Sequence, residues 1–317
     1  MGAVHYAIAQ RTSRYFRQYR DQCELLGKSK NVQKAAENIS LDLVRRGKIK
    51  RDKVPKISDA LIRHTTDWYP AHCIIREDNI RITSKLSSNF EPVINVVAAL
   101  EPGNMRHPSG DLFDAFQVSI VCSRIAKNGV DITDTMSGVQ LNFHAIARLE
   151  EREIEKTNPV YELANKLDTL LIYTTLFQAV CTVEGGRNFA IPYGQHLLLG
   201  TIGVMQIPNG NHQTYIRLRA GEPFHQEETG NPERCPLIEI RTAVSYSELT
   251  QAQDDLRDAI EHFAESHIEE INQVFECFYM EKYIDFSRDD FRKLVDKLRK
   301  EFQPITQMSA WIRQQSA

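Results

Sequence analysis

Halfway along the chain the apolar period changes from that of a helix to that of strands. Asn158-Pro159 supplies a helix cap and an N1 proline, whose fixed φ suits the first turn. Val160, Leu163, Leu167, Leu170, Leu171, Phe177 and Cys181 follow at helical spacing, a stripe that needs a core to face. Gly185-Gly186 stops that helix. Strand-like runs then come at Phe189 to Tyr193, His196 to Gln206, Gln213 to Arg219 and Leu237 to Val244. Asn209-Gly210, between the second and third, is a strong hairpin signal because both residues accept positive φ. Helices followed by antiparallel strands predict an α+β fold. Its central antiparallel sheet is packed against two helices, with helical N-terminal and C-terminal regions.

The flanks are read the same way. Residues up to Arg46 are helical in pattern and basic, with a second helix over Asn31 to Arg46 and a basic connection through Lys56. Cys73-Ile-Ile-Arg76 and Asn79 to Ser84 read as a hairpin around Asp78-Asn79. Val93 to Leu100 is an apolar run of strand or helix-turn length. Glu101 to Gly110 has loop composition, Phe113 to Ile125 alternates as a strand, and Asn128-Gly129 reads as the turn after it. Ser247 to Lys282 carries apolar residues at helical spacing among acids, and a last helix starts near Ser287 and ends near Pro304. The chain thus divides into a basic helical region (1–60), a small mixed α/β region (61–135), a helix-helix-antiparallel sheet core (136–245) and an acidic helical region (246–317).

Charge is unevenly spread. Met1 to Lys56 holds 14 Lys/Arg against 5 Asp/Glu, whereas Gln253 to Asp290 holds 3 against 12. Either the two ends face each other, within the fold or across a dimer, or the basic end binds nucleic acid. Arg14, Arg17 and Arg20 interleave with Tyr15, Phe16 and Tyr19, a pattern suited both to phosphate contact with base stacking and to a simple amphipathic helix. The six scattered cysteines form no CxxC pair, so no zinc site and no compact disulfide framework is expected. Cysteines so scattered suit a reducing, cytoplasmic setting, and a mean hydropathy of -0.40 with no apolar run near the ~18–20 residues of a spanning helix predicts a protein away from membranes. No cofactor and no metal are expected.

The most chemical stretch is Asn142-Phe-His-Ala-Ile-Ala-Arg-Leu-Glu-Glu-Arg152. Asn142 is a good N-cap, and His144, Arg148 and Arg152 recur every four residues along one helix face. Histidine transfers protons near neutral pH, arginine donates bidentately to phosphate, and a helix start adds free N–H groups. The same charges also make an ordinary salt-bridged helix, with Glu150, Glu151, Glu153 and Glu155 at hand.

Asn/Ser-x-His-Ala-x-x-Arg-x-x-x-Arg followed by antiparallel strands resembles the opening helix of metal-independent RNase toxins of the barnase–EndoU–colicin–RelE-like group. The resemblance covers about residues 139–220. It departs from that pattern in a second long helix between motif and sheet, and in the large flanking regions. It implies a helix-plus-sheet fold, His144 and Arg148 as catalytic residues, Arg152 on phosphate, and Thr214 or Tyr215 completing the site from a late strand. Two readings follow. One is a metal-independent ribonuclease-like or phosphate-acting protein. The other is a non-catalytic module of a mobile-element, secretion or defence system, binding RNA or another nucleic acid through Arg14, Arg17 and Arg20 and forming a homodimer through its acidic C-terminal helix.

Overall fold

The computed structural model describes residues 10–11, 13–23, 48–77, 92–106, 112–152, 159–181, 187–205, 211–219, 222, 225–231, 235–280 and 287–315. Helix α1 covers residues 10–23 apart from position 12, and α2 is Val54–Trp68. Strands β1 (His72–Glu77), β2 (Val93–Arg106), β3 (Leu112–Ala126) and β4 (Gly129–Asn142) follow, then helices α3 (Phe143–Arg152), α4 (Pro159–Asn165) and α5 (Leu167–Val180). The second half holds β5 (Arg187–Tyr193), β6 (His196–Met205), β7 (Asn211–Arg219), β8 (His225–Asn231) and β9 (Cys235–Ser245), closed by α6 (Gln251–Ser266), α7 (Ile268–Met280) and α8 (Arg288–Gln315). The fold is α+β, a curled, mainly antiparallel sheet flanked by helices.

Strand β4 organises the sheet, whose order is β1-β2-β3-β4-β9-β6-β5 with β7 and β8 branching from β4. Its first half, Gly129 to Thr135, pairs antiparallel with β7, while Val139 to Leu141 pairs parallel with β9. The fork falls at a bulge. The β3 register shifts between Gln117 and Ser119, and Gly138 takes φ 72, a conformation open to residues lacking Cβ. The turned Ser137 carbonyl accepts hydrogen bonds from Gln178 Nε2 (2.9 Å) and Tyr279 Oη (3.1 Å), so helices α5 and α7 hold the fork from below.

The two sheet faces bury different sets. Alternate residues of β2 and β3, including Val96, Ala98, Leu100, Phe116, Val118 and Ile120, join α1 and α3 to α8 in the main core. The opposite alternation, Ile125, Val130 and Leu218, packs with Ile49, Val54 and Leu61 under α2.

Several sequence expectations change here. The β6–β7 hairpin does not form, since β6 pairs with β5 and β9 while β7 pairs with β4 and β8. Pairing with β4 places Ile216 and Leu218 beside Ile132 and Val130 in the α2 cluster, a burial that outweighs a local turn signal. The turn after β3 is Lys127-Asn128, one residue earlier than expected, and Gly129 opens β4. A Cβ at Gly129 would run into the Leu218 carbonyl oxygen, so glycine serves the approach of β7 there. The supposed loop from Glu101 continues β2 to Arg106, paired to Leu112. The acidic helix breaks at His267, the C-cap of α6. Helix α8 passes through Pro304, because Phe302 and Ile305 on either side of it are buried and hold the chain helical. A division after residue 135 falls inside β4, whose sheet continues into both halves. The expected helix over Asn31 to Arg46 and the turns at Asp78-Asn79 and Asn209-Gly210 lie outside the described residues. Among the described residues no helix is long and apolar enough to cross a membrane.

Candidate nucleic-acid interface

Helix α3 begins as its sequence requires. Asn142, the last residue of β4, accepts the His144 backbone N–H on Oδ1 at 2.9 Å, satisfying one of the unpaired donors of a helix start. Ala145, Ile146 and Leu149 are buried, and His144 is exposed on the outward side. Arg148 is ion-paired to Glu151 along the helix, and Glu150 is ion-paired to Arg11 of α1. Arg148, expected in the catalytic set, thus has a carboxylate partner of its own. Arg152 ends the helix, and its side chain lies outside the described part.

The second wall of the expected site is elsewhere. Tyr215 pairs across β4 with Thr133, and Thr214 with Asp134. From Thr133 to Asn142, where α3 starts, β4 runs for roughly 30 Å at ~3.3 Å per residue. His144 and Arg148 therefore stand at one end of β4 and Thr214 and Tyr215 near the other. The fork explains the separation: β7 joins the first half of the strand, and α3 leaves the second half.

What surrounds Tyr215 is an ionic network that the sequence pattern did not reveal. Asp131, with its side chain 4% exposed, accepts from Arg219 Nη2 at 2.6 Å, Tyr215 Oη at 3.0 Å and Arg124 Nη1 at 3.4 Å. Arg219 also donates from Nη1 to the carbonyls of Leu218 (3.3 Å) and Val130 (3.4 Å), which fixes its plane against the β4–β7 ladder. Burial, then the Asp131 charge, raises the Tyr215 phenol above its ordinary value, with Arg219 and Arg217 acting in the opposite sense. Register aligns Arg124, Asp131, Arg217 and His225 in one row across β3, β4, β7 and β8. One signal was legible: Tyr215, Arg217 and Arg219 alternate and so share a face. Their meeting with Asp131 depends on the β4–β7 pairing.

On α1, Phe16 and Tyr19 are 2% and 3% exposed. Phe16 meets Phe116 edge-on at 4.9 Å between centroids. The Tyr19 hydroxyl donates to the Leu100 carbonyl at 2.5 Å and accepts the Ala71 N–H at 3.3 Å. These rings are core, which removes them from base stacking. Arg20 lies over the Phe16 ring at 5.9 Å, a cation–π contact, while Arg14 and Arg17 are exposed on the far side of the helix.

On the sheet face beneath α2, two carboxylates come together. Tyr69 Oη donates to Asp134 Oδ2 at 2.9 Å and Ser119 Oγ to Glu101 Oε2 at 2.9 Å. Burial and then the Glu101 charge push the Asp134 carboxyl up to about 7, against the lowering effect of the Tyr69 hydrogen bond. Burial, Asp134 and Glu101 likewise raise the Tyr69 phenol well above its usual range. Among the described residues no three His, Cys, Asp or Glu side chains are grouped to hold a metal ion.

Comparison with protein-family models, curated proteins and solved structures finds no match to this chain. Its functional reading therefore rests on the geometry of its own residues.

Proposed function

We propose that this chain is a nucleic-acid-binding protein that contacts the phosphate backbone through helix α1. The observation that carries the reading is the seating of that helix. Phe16 and Tyr19 anchor it in the core and leave Arg14 and Arg17 in solvent, a pair of cations three residues apart on one anchored helix. A cation on an anchored helix loses less backbone freedom on meeting a phosphate than one on a loose arm. The ribonuclease reading asks His144, Arg148 and Thr214 or Tyr215 to close on one phosphate. The length of β4 between them favours binding without that cleavage step.

Fluorescence anisotropy with a labelled single-stranded RNA tests this. The wild type binds, and affinity falls steeply with salt. The Arg14→Glu/Arg17→Glu variant binds at least ~10-fold more weakly, with a slope of log K against log salt flatter by roughly 0.7 for each phosphate no longer neutralised. Wild-type chain that binds no RNA, or a variant that binds like wild type, overturns the proposal. RNA incubated with the protein in EDTA stays intact; cleavage abolished by His144→Ala would restore the catalytic reading.

A further inference from the structure

A second basic surface lies at the other end of the molecule from helix α3. At the β3–β4 turn, the Ile49 N–H donates to the Lys127 carbonyl at 3.0 Å, and Ile49 is buried in the cluster under α2. That one apolar anchor holds Lys48 and Lys50 on either side of it in solvent, with Arg51 next along the chain. Lys127 is exposed in the turn itself. The arginine row emerges on the opposite sheet face at the same end: Arg124, Arg217 and Arg219, with Asp131 among them. Cations thus border the end of the sheet on both faces. Acids at this end include Asp131, which is buried, Asp52 and Glu222, both exposed, and Glu227 of β8, in register with Tyr215.

The parts have separate jobs. Asp131 and the strand carbonyls hold Arg219, so Arg219 and Tyr215 set the position of β7. Arg217, two residues along the same face, is 44% exposed and only loosely paired to Glu222 at 3.7 Å. Adjacent strands lie ~4.8 Å apart, so the backbones of Arg124 and Arg217 stand roughly 10 Å apart across β4. Long cationic side chains at that spacing, with lysines beyond the turn, match a ligand that carries repeated negative charges along a chain. A single small anion would leave most of them unused. In a protein whose formal net charge is -3, such a concentration of cations is the electrostatic footprint expected for nucleic acid.

We infer that the β3–β4 end of the sheet is a second binding surface, at which Lys48, Lys50, Lys127 and Arg217 grip the phosphodiester backbone of a nucleic acid. This rests on the nucleic-acid reading above but not on α1 as the place of contact. Burial of Ile49 and the pairing of β7 with β4 fix the backbone positions of these cations, so only their side chains must order on binding. Sequence preference is weak here, because phosphate contacts position a strand without reading its bases.

The test uses the full chain with labelled single-stranded and duplex RNA of equal length, in anisotropy titrations between about 50 and 200 mM salt, the range over which phosphate-driven binding weakens most visibly. Lys48→Glu/Lys50→Glu and Lys127→Glu/Arg217→Glu are compared with Arg14→Glu/Arg17→Glu, after circular dichroism and thermal melting show each to be folded. Each corner variant is expected to bind at least ~10-fold more weakly and to flatten the salt slope. Arg217→Lys is expected to retain most of the binding, because it keeps the charge. If the α1 variant stops binding while both corner variants still bind, the corner is overturned and the nucleic-acid reading stands. Wild-type chain that binds neither RNA overturns both. Sedimentation with phosphatidylserine vesicles, abolished in the same corner variants while RNA binding is unaffected, overturns the assignment in favour of a lipid surface.

Discussion

Two aspartates of β4, three residues apart, sit in opposite environments. Asp131 faces the arginine row and accepts from Arg219, Arg124 and Tyr215. Asp134 points beneath α2, where its neighbours are Tyr69 and a second carboxylate, Glu101. A strand alternates its side chains, so an odd separation of three sends them to different faces. The same residue type thus becomes the anchor of a cationic surface on one side and a proton-holding acid on the other. Sequence position alone does not tell the two apart; the cross-strand partners do.

The largest expected effect breaks the first of these environments. Asp131→Ala removes the shared acceptor of two guanidiniums and leaves partly buried positive charge uncompensated, at a cost of about 3 kcal/mol. Urea denaturation measures this, and a destabilisation under ~1 kcal/mol would mean that solvent screens the arginines as well as the carboxylate does. Asp134→Asn gives a smaller effect of opposite sign. In the folded chain the carboxyl holds its proton to about pH 7, against an ordinary value of 3.8. Between those values the folded state binds more protons at this site than the unfolded one, so the contribution of Asp134 to stability is greatest below about pH 4 and declines as pH rises towards 7. Asparagine removes that decline, and the variant is expected to be more stable than wild type at pH 8 by roughly 2 kcal/mol. Identical pH profiles for the two proteins would contradict the carboxylate pairing. The smallest effect belongs to helix α3. Arg148→Ala breaks an i,i+3 pair at the surface of α3 and is expected to change stability by no more than ~0.5 kcal/mol in thermal melts. A destabilisation above ~1.5 kcal/mol would mean that Arg148 has a structural role comparable with that of Arg219.

Elements were legible where their signals are local. The Asn142 cap, the apolar stripe that runs over α4 and α5 (expected as one helix, but broken at Lys166) and the strands β5, β6, β7 and β9 all announce themselves within a few residues, through capping chemistry and periodicity. Strand β8 was not legible, because His225-Gln-Glu-Glu-Thr-Gly-Asn231 is polar throughout and pairs only at the sheet's margin. The extension of β2 through Pro102-Gly103 was hidden for the converse reason: loop-forming residues are held extended by their pairing with β3. At the site, Tyr215 was singled out, but the partners that give it meaning, Asp131, Arg124 and Arg219, were not. The helix pattern of His144 and Arg148 carries no information on Thr214 and Tyr215, which lie far along β4.

By itself the amino-acid sequence determined the α+β class, the capped start of α3, the inward stripe of α5 and the basic character of the first 56 residues. All of these follow from residue type and spacing over one or two turns or a single strand. The tertiary structure decided which strands became neighbours. Burying Ile216 and Leu218 beside Val130 and Ile132 drew β7 to β4 rather than to β6, and that pairing brought Arg217, Arg219 and Tyr215 to Asp131. Burying Ile49 placed Lys48 and Lys50 at the same end of the sheet. Periodicity says which face a side chain takes, while only the burial of distant apolar residues says what that face will meet.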